Sequence, residues 1–142
     1  MTNDEMSVLI RKHLPPAIKL IGGDIIEIDQ EAGEVQMSFI IGEEFCHSKV
    51  IVQGGYVSAM LDACMAHAAS THSGLTKSAS TLELKVSFLG ASNPGTFRGV
   101  GRVVRMGRSI AYTEASLFNE AEVEVARSSS TVKLIPSKPR DS

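Results

Sequence analysis

The feature that most constrains the fold is an uncharged, apolar stretch in the middle of the chain. Across residues 51–76, Asp62 is the only charged side chain when histidine is counted as neutral. The pair Gly54-Gly55 opens a run of mostly small or unbranched residues that continues to about Thr71. Such a run predicts one long helix, buried on nearly every face. A carboxylate in an apolar helix costs free energy unless it is paired or function requires it, so Asp62 is the first candidate for chemistry.

The composition of the whole chain excludes several classes of protein. A chain of 142 residues with a net charge of -2 and 14 Lys+Arg fits one domain and has no basic excess for binding nucleic acid. No basic amphipathic helix favours a membrane surface, and no stretch is long enough to span a membrane or to resemble a signal peptide. We therefore expect a cytoplasmic protein. Cys46 and Cys64 are too few for a disulfide framework and are expected to be free thiols.

The segments before the central helix predict a helix, a hairpin and a loop. Apolar spacing predicts a short amphipathic helix from about Asn3 to Leu14, which Pro15-Pro16 ends. Residues 24–29 and 34–41 alternate as two strands of a hairpin. Residues 42–52 show no clear period and are interpreted as a loop that crosses the sheet.

The segments after the helix predict four strands. The first covers residues 78–89, with Leu82, Leu84, Val86 and Phe88 alternating. The next three cover residues 96–104, 109–118 and 122–134 and form an antiparallel meander. The chain is thus predicted to be a single α+β domain over residues 1–135, with a disordered tail at 136–142. A six-stranded antiparallel sheet would wrap around the central helix. Its unpaired edges and the exposed side of the helix favour a homodimer or a homotetramer, the latter a dimer of dimers.

This order of elements, together with particular residues, resembles the hotdog fold and within it the acyl-CoA thioesterases of the phenylacetate-pathway (PaaI-like) type. In that pattern His-Gly-Gly is followed, after six residues, by a carboxylate on the central helix. Here Gln53-Gly54-Gly55 precedes Asp62 at the matching distance. The sequence Phe88-Leu89 and the turn Gly107-Arg108 match later parts of the pattern. The chain departs from it at Gln53, where the family usually has His, and at His47, where the family often has an amide.

The resemblance implies hydrolysis of an acyl-CoA thioester at a site shared between subunits. The amides of Gly54 and Gly55 would polarise the thioester carbonyl at the positive end of the helix dipole. Asp62 would activate a water molecule or attack the thioester carbon itself. Alternatively, the glycines relieve crowding where the helix meets the sheet, and Asp62 is a structural carboxylate.

Three further residues are candidates for the reaction. Gln53 could orient the water or hold the thioester oxygen, although a residue at a helix start can equally bond the loop. His47 could assist from the loop, but a loop histidine is often solvated. Ser80 and the adjacent Thr81, at the start of the strand after the helix, match a region where the family often supplies a hydroxyl for the water or the carboxylate, and Ser80 is taken as the candidate. Equally, hydroxyls at a strand edge often have no such role.

The resemblance also implies which residues would contact the coenzyme A part of the substrate. Arg105, Arg108 and Ser109, around the turn at Gly107, would contact the nucleotide end of coenzyme A, because arginine matches phosphate geometry. Equally, they could be solvated at a hairpin tip. Coenzyme A is then part of the substrate, and no cofactor is predicted. No metal site is predicted either, since the pair Cys64/His67 lacks further ligands.

Two other functions remain open at the level of sequence. One is a hotdog dehydratase or hydratase of acyl thioesters, because His47 precedes Asp62 by fifteen residues and such enzymes pair a loop histidine with a helix carboxylate. The other is a non-catalytic module that binds acyl thioesters. The acyl group itself is not predicted, and aryl, medium-chain and branched groups remain open.

Overall fold

A computed structural model describes residues 1–138 and shows one sheet packed on one long helix. The helices are α1 (Asn3–Lys12), α2 (Pro16–Leu20) and α3 (Gly54–His72), and a single 3-10 turn covers Glu43–Phe45. The strands are β1 (Asp24–Asp29), β2 (Glu34–Ile41), β3 (Cys46–Ser48), β4 (Ile51–Val52), β5 (Lys77–Phe88), β6 (Gly95–Met106), β7 (Ile110–Phe118) and β8 (Glu124–Pro136). The predicted α+β architecture, a six-stranded antiparallel sheet around a central helix, is confirmed. None of the helices in residues 1–138 is long and apolar enough to cross a membrane.

The N-terminal segment forms two short helices where one was predicted. The Thr2 hydroxyl accepts a hydrogen bond from the Glu5 amide, and the Glu5 carboxylate accepts one from the Thr2 amide, so a capping box starts α1. The helix ends at Lys12, two residues earlier than expected. Pro16 then occupies the first turn of α2, where a missing amide proton costs no helical hydrogen bond.

The order of strands in the sheet is β1-β2-β6-β7-β8-β5, with every pair antiparallel. The β1–β2 hairpin and the β6-β7-β8 meander agree with the sequence prediction. Although β5 follows α3 directly in the chain, it pairs with β8 at the opposite edge of the sheet from β1. Among residues 1–138, no strand pairs with the other edge of β5.

The helix α3 lies against the concave face of the sheet through its buried side. Residues such as Met60, Leu61 and Met65 are fully buried there. The expected burial on nearly every face is wrong for one stripe, because Gly55 is exposed and Asp62 is only half-buried. This stripe lies uncovered in the single chain, and α3 borders the edge strand β5 along it.

The segment between β2 and α3 has more structure than the predicted loop. The 3-10 turn leads into a small hairpin of β3 and β4. The Val52 amide then donates to the Ser92 carbonyl at 2.8 Å, and the Gln53 amide donates to the Phe45 carbonyl at 2.9 Å. These bonds fix the point at which α3 begins.

The C-terminal strand extends slightly past the predicted domain end. Pro136 pairs with Lys77 as the last residue of β8, and the Ser137 amide donates to the Thr76 carbonyl at 2.9 Å. The predicted disordered tail therefore does not begin at Pro136. Its last four residues, 139–142, lie outside the described part of the chain.

Candidate active site

Asp62 and Thr81 face each other across a groove between α3 and β5. We call this groove the α3–β5 seam and define it by Asp62 and Ala66 on the helix and by Thr81 and Ala79 on the strand. The Thr81 hydroxyl donates to Oδ1 of Asp62 at 2.7 Å. A hydrogen bond donated by a hydroxyl holds the carboxylate in one orientation. Asp62 itself is half-buried, on the stripe of α3 that borders β5.

The hydroxyl that reaches Asp62 belongs to Thr81, whereas the sequence analysis favoured Ser80. Thr81 pairs with the buried Val132 and therefore points to the helix side of the sheet. Ser80 pairs with the exposed Lys133, and successive strand residues point to opposite faces. Ser80 thus lies on the outer face and is not part of the groove.

The two glycines occupy the first turn of α3, and their surroundings differ. A Cβ added to Gly54 would lie 3.0 Å from the Phe88 ring, whereas one added to Gly55 would meet nothing within 4 Å. The first helical bonds run from the Tyr56 and Val57 amides to the Gln53 carbonyl. The Gly54 and Gly55 amides therefore have no helical acceptor and lie at the positive end of the dipole.

Asp62 and the glycines of the same chain are too far apart to act on one carbonyl group. Seven residues of helix separate Gly55 from Asp62, which is about 10 Å along the axis. A reacting carbon and its oxyanion donors must each lie about 3 Å from the groups that act on them. A site that uses both features therefore needs Asp62 from one copy and Gly55 from another.

The other two candidates near the helix start do not contact Asp62. Gln53 is the N-cap residue of α3, is exposed, and makes no capping hydrogen bond with its side chain. His47 is exposed on β3. Within residues 1–138, neither side chain is hydrogen-bonded to Asp62.

Arg105, Arg108 and Ser109 are all exposed around the β6–β7 turn. The Gly107 amide closes this turn by donating to the Ile110 carbonyl at 2.8 Å. The sequence analysis missed a third cation here, since Lys77 Nζ donates to the Arg108 carbonyl at 2.6 Å. We call Arg105, Arg108 and Lys77 the basic tip. It lies at the start of β5, about 13 Å along the strand from Thr81.

A cavity of about 130 Å³ continues the seam beyond Asp62, toward the C-terminal half of α3. Its walls come from three parts of the chain: the N-terminal segment, α3 and the region around the start of β5. The lining residues are Ile10, His13, Pro15, Ala66, His67, Ser70, Leu75, Ser78 and Ala79.

The spacing of Cys64 and His67 does not produce a metal site. Burial strongly raises the pKa of the Cys64 thiol, so it is not a thiolate ligand or nucleophile at neutral pH. His67 donates from Nδ1 to the Ala63 carbonyl at 2.8 Å, since a carbonyl can only accept. Within the described residues, no group of three His, Cys, Asp or Glu side chains could hold a metal ion.

Comparison with known structures gives many matches to the same fold. The phenylacetic acid degradation-related protein of Ralstonia eutropha JMP134 is 30% identical, with a TM-score of 0.82 over 90% of this chain and 97% of that chain. The E. coli PaaI protein from the phenylacetic acid degradation operon has a TM-score of 0.83 at 17% identity, over 94% of each chain. A thioesterase of Haemophilus influenzae has a TM-score of 0.80 at 16% identity, over 96% of this chain and 92% of that chain. A comparison with curated proteins gave no significant match.

The family assignment comes from sequence as well as from structure. The model of the thioesterase superfamily matches residues 51–126, which span β4, α3 and the strands through the start of β8. The matched region includes Asp62, Thr81 and both glycines. With the 30% identity to the Ralstonia protein over nearly the whole chain, this match shows that the protein belongs to the thioesterase superfamily, as a hotdog-fold member of the PaaI-like type.

Proposed function

We propose that the protein hydrolyses an acyl-CoA thioester to the free acid and coenzyme A, with Asp62 as the reacting carboxylate. The observation that carries the proposal is the Asp62–Thr81 pair at 2.7 Å, open to a groove with a cavity beside it. Thr81 holds one oxygen of this half-buried carboxylate, and both residues lie where the helix and the edge strand reach the surface of the chain.

Two routes through Asp62 give the same products. As a general base, Asp62 takes a proton from water while the water oxygen attacks the thioester carbon. As a nucleophile, Asp62 attacks that carbon and forms an anhydride, which water then hydrolyses. In both routes the C–S bond breaks, the thiolate leaves and is protonated, and the carbonyl oxygen carries negative charge in the transition state.

The amides that stabilise this charge would come from a second copy of the chain. Two α3 helices related by a two-fold axis perpendicular to them run antiparallel, and in that arrangement Gly55 of each can lie opposite Asp62 of the other. Gly55 fits this role because it is exposed and has open space where a side chain would be. One such donor typically contributes about 3 kcal/mol to catalysis. The functional unit would be a homodimer or a dimer of dimers.

The nucleotide of coenzyme A would bind near exposed arginines. Arg105, Arg108 and Ser109 remain the proposed contacts for its phosphates, and Lys77 adds a third cation to the same tip. Gln53 and His47 are proposed only to assist the reaction, His47 from the segment before the helix. Gln53 lies beside the glycine amides, where its side chain could hold the water or the thioester oxygen.

The decisive experiment compares Asp62→Asn with wild type across a set of acyl-CoAs, measuring the thiol released. Asn has nearly the same shape but cannot take a proton or attack, so we expect kcat to fall by about 10²-fold or more. Asp4→Asn, an exposed change on α1, is the matched control and should retain full activity. An unchanged rate in Asp62→Asn would overturn the mechanism.

The same screen separates the alternative functions. Hydration of an enoyl-CoA without release of thiol, lost in His47→Ala, would indicate a hydratase. Tight binding of acyl-CoA without any turnover would indicate a binding module. Release of thiol that depends on Asp62 excludes both as the main function.

A further inference from the structure

We propose that the cavity beside Asp62 holds the acyl tail of the substrate, and that Ile10, His13 and Pro15 close its far end and so limit the size of the acyl group. The inference rests on the proposed function, because it uses Asp62 to place the thioester carbon. It adds a specificity determinant from the N-terminal segment, which lies outside the region matched by the family model.

The position of the cavity follows from the geometry of the seam. Ala66 lies four residues after Asp62, about 6 Å further along the helix. Ala79 lies two residues before Thr81, about 7 Å along the strand. The chain runs along α3, turns and returns along β5, so Ala66 and Ala79 lie on the same side of the Asp62–Thr81 pair. An acyl chain attached to a carbon at Asp62 therefore enters the cavity after a few carbon atoms.

The cavity exists because the side chains on both sides of the seam are small. Ala66 and Ala79 are half-buried and face the space from opposite sides. Two of its polar neighbours are bonded to the backbone: the Ser70 hydroxyl donates to the Lys77 carbonyl at 2.9 Å, and His67 donates to the Ala63 carbonyl. Apolar side chains make up the other part of the lining, which suits an apolar tail: Ile10, Pro15, Ala66, Leu75 and Ala79.

The wall at the far end combines one core side chain with two residues that are exposed. Ile10 is 2% exposed and belongs to the core. His13 is the C-cap of α1, and its amide donates to the Ile10 carbonyl at 3.0 Å. Pro15 is the N-cap of α2 and has a fixed φ of -59°. The volume of about 130 Å³ is close to the roughly 150 Å³ that accommodates one benzene molecule in another protein. A compact acyl group fills a space of this volume, and we expect a longer chain to meet Ile10 at the far end.

This placement also orients the rest of the substrate. The cavity lies between Asp62 and the basic tip of the same chain. A thioester whose tail fills the cavity extends its coenzyme A arm the other way, toward the start of α3. In an antiparallel pair of α3 helices, the basic tip that it approaches belongs to the second copy.

The test measures kcat/KM over straight-chain acyl-CoAs from acetyl to decanoyl. We expect wild type to decline beyond the length that fills the cavity. Ala66→Leu fills the cavity and should lower the ratio of kcat/KM for hexanoyl-CoA to that for acetyl-CoA by about tenfold. His13→Ala opens the far wall and should move the decline to longer chains. Ala79→Val is a second filling variant in case Ala66→Leu does not fold.

The control and the contrary outcomes keep the two proposals separate. Lys12→Ala changes the neighbouring exposed residue of α1 outside the cavity and should reproduce the wild-type profile. An unchanged length profile in the cavity variants, while Asp62→Asn loses turnover, would overturn the acyl subsite and leave the hydrolase intact.

A second measurement does not depend on turnover. Alkyl-CoA thioethers of the same lengths cannot be hydrolysed, and calorimetry gives their Kd. If wild type hydrolyses no acyl-CoA, a length-dependent Kd that Ala66→Leu weakens by about tenfold would support the subsite in a binding module. No binding, or a Kd that the cavity variants leave unchanged, would overturn it.

Discussion

At the scale of single residues, Thr81 is the side chain whose role is easiest to isolate. Its hydroxyl is bonded to Asp62 at 2.7 Å, and a hydrogen bond to a charged group contributes about 1.5–3 kcal/mol. Thr81→Val keeps the shape and removes the hydroxyl. We expect it to lower kcat/KM for acyl-CoA hydrolysis by about 10- to 100-fold, because Asp62 loses the hydrogen bond that orients it.

Two matched variants test whether the hydroxyl, and not the position on the strand, causes the loss. Thr81→Ser restores a hydroxyl and should recover most of the activity. Ser80→Ala removes the neighbouring hydroxyl on the outer face and should have little effect. Equal losses in Thr81→Val and Thr81→Ser, or a large loss in Ser80→Ala, would contradict the assignment.

The sequence identified Asp62 but not its partner, for a physical reason. Asp62 stands out because a charge in an apolar helix is costly wherever the helix lies. Choosing between Ser80 and Thr81 requires the phase of β5. If Leu84 faces the helix and every second residue before it does too, Ser80 also faces the helix. The register of β5 against β8, however, shifts between Thr81 and Glu83. That bulge reverses the phase, and no local signal in the sequence marks it.

At the scale of elements, β5 is the exposed edge that a second copy would cover. Leu82, Phe88 and Leu89 are 58%, 56% and 57% exposed along or just beyond it. An exposed apolar edge strand is a template for pairing, and natural monomers usually protect such an edge with charge. The same edge borders Asp62, so covering it would also complete the proposed site.

Leu82→Lys tests this interface. Leu82 is the unpaired residue of the bulge in β5, so a lysine there places a charge on the edge without disturbing the core. We expect light scattering coupled to size exclusion to show a smaller assembly than wild type, with a parallel loss of thioester hydrolysis.

Ile26→Lys is a closely matched control at the other edge of the sheet. Ile26 lies at the register shift of β1 and is 48% exposed. This variant should keep the wild-type mass and activity. If Leu82→Lys also keeps the wild-type mass, the β5 edge is not the interface.

The sequence predicted the long elements well and the short ones poorly. The periodicity of β1, β2 and α3 extends over enough residues to be recognised, and the capping box marks the start of α1. The helix α2 and the β3–β4 hairpin consist of two to five residues each, and they form because tertiary hydrogen bonds hold them. Likewise, α3 carries the chain across the sheet, so that β5 pairs with β8 at the edge opposite β1. Local sequence patterns do not predict which strand β5 pairs with.

At the scale of the whole molecule, the distance between α3 and the sheet depends on two glycines of β6. A Cβ at Gly99 would overlap the Cys64 sulfur, and a Cβ at Gly101 would overlap the Cys64 carbonyl oxygen and carbon. Among the alanines on α3, Ala63 and Ala69 are buried, whereas Ala66 is half-buried and lines the cavity of the seam. Close helix–sheet contact and an open groove thus occur on different sides of the same helix.

Gly101→Ala tests how strictly this packing is enforced. The atoms that a new methyl group would meet belong to the α3 backbone, which cannot rotate away like a side chain, so the whole helix must shift from the sheet. Overpacking of a core costs about 1–3 kcal/mol, and we expect a value near 3, which lowers Tm by about 10 °C at equal protein concentration. Gly90→Ala is the control, because a Cβ there meets nothing within 4 Å. Thermal unfolding followed by circular dichroism should separate the two variants. Equal Tm values would mean that α3 can move without cost, and the geometry of the Asp62–Thr81 pair would then not depend on the sheet beneath it.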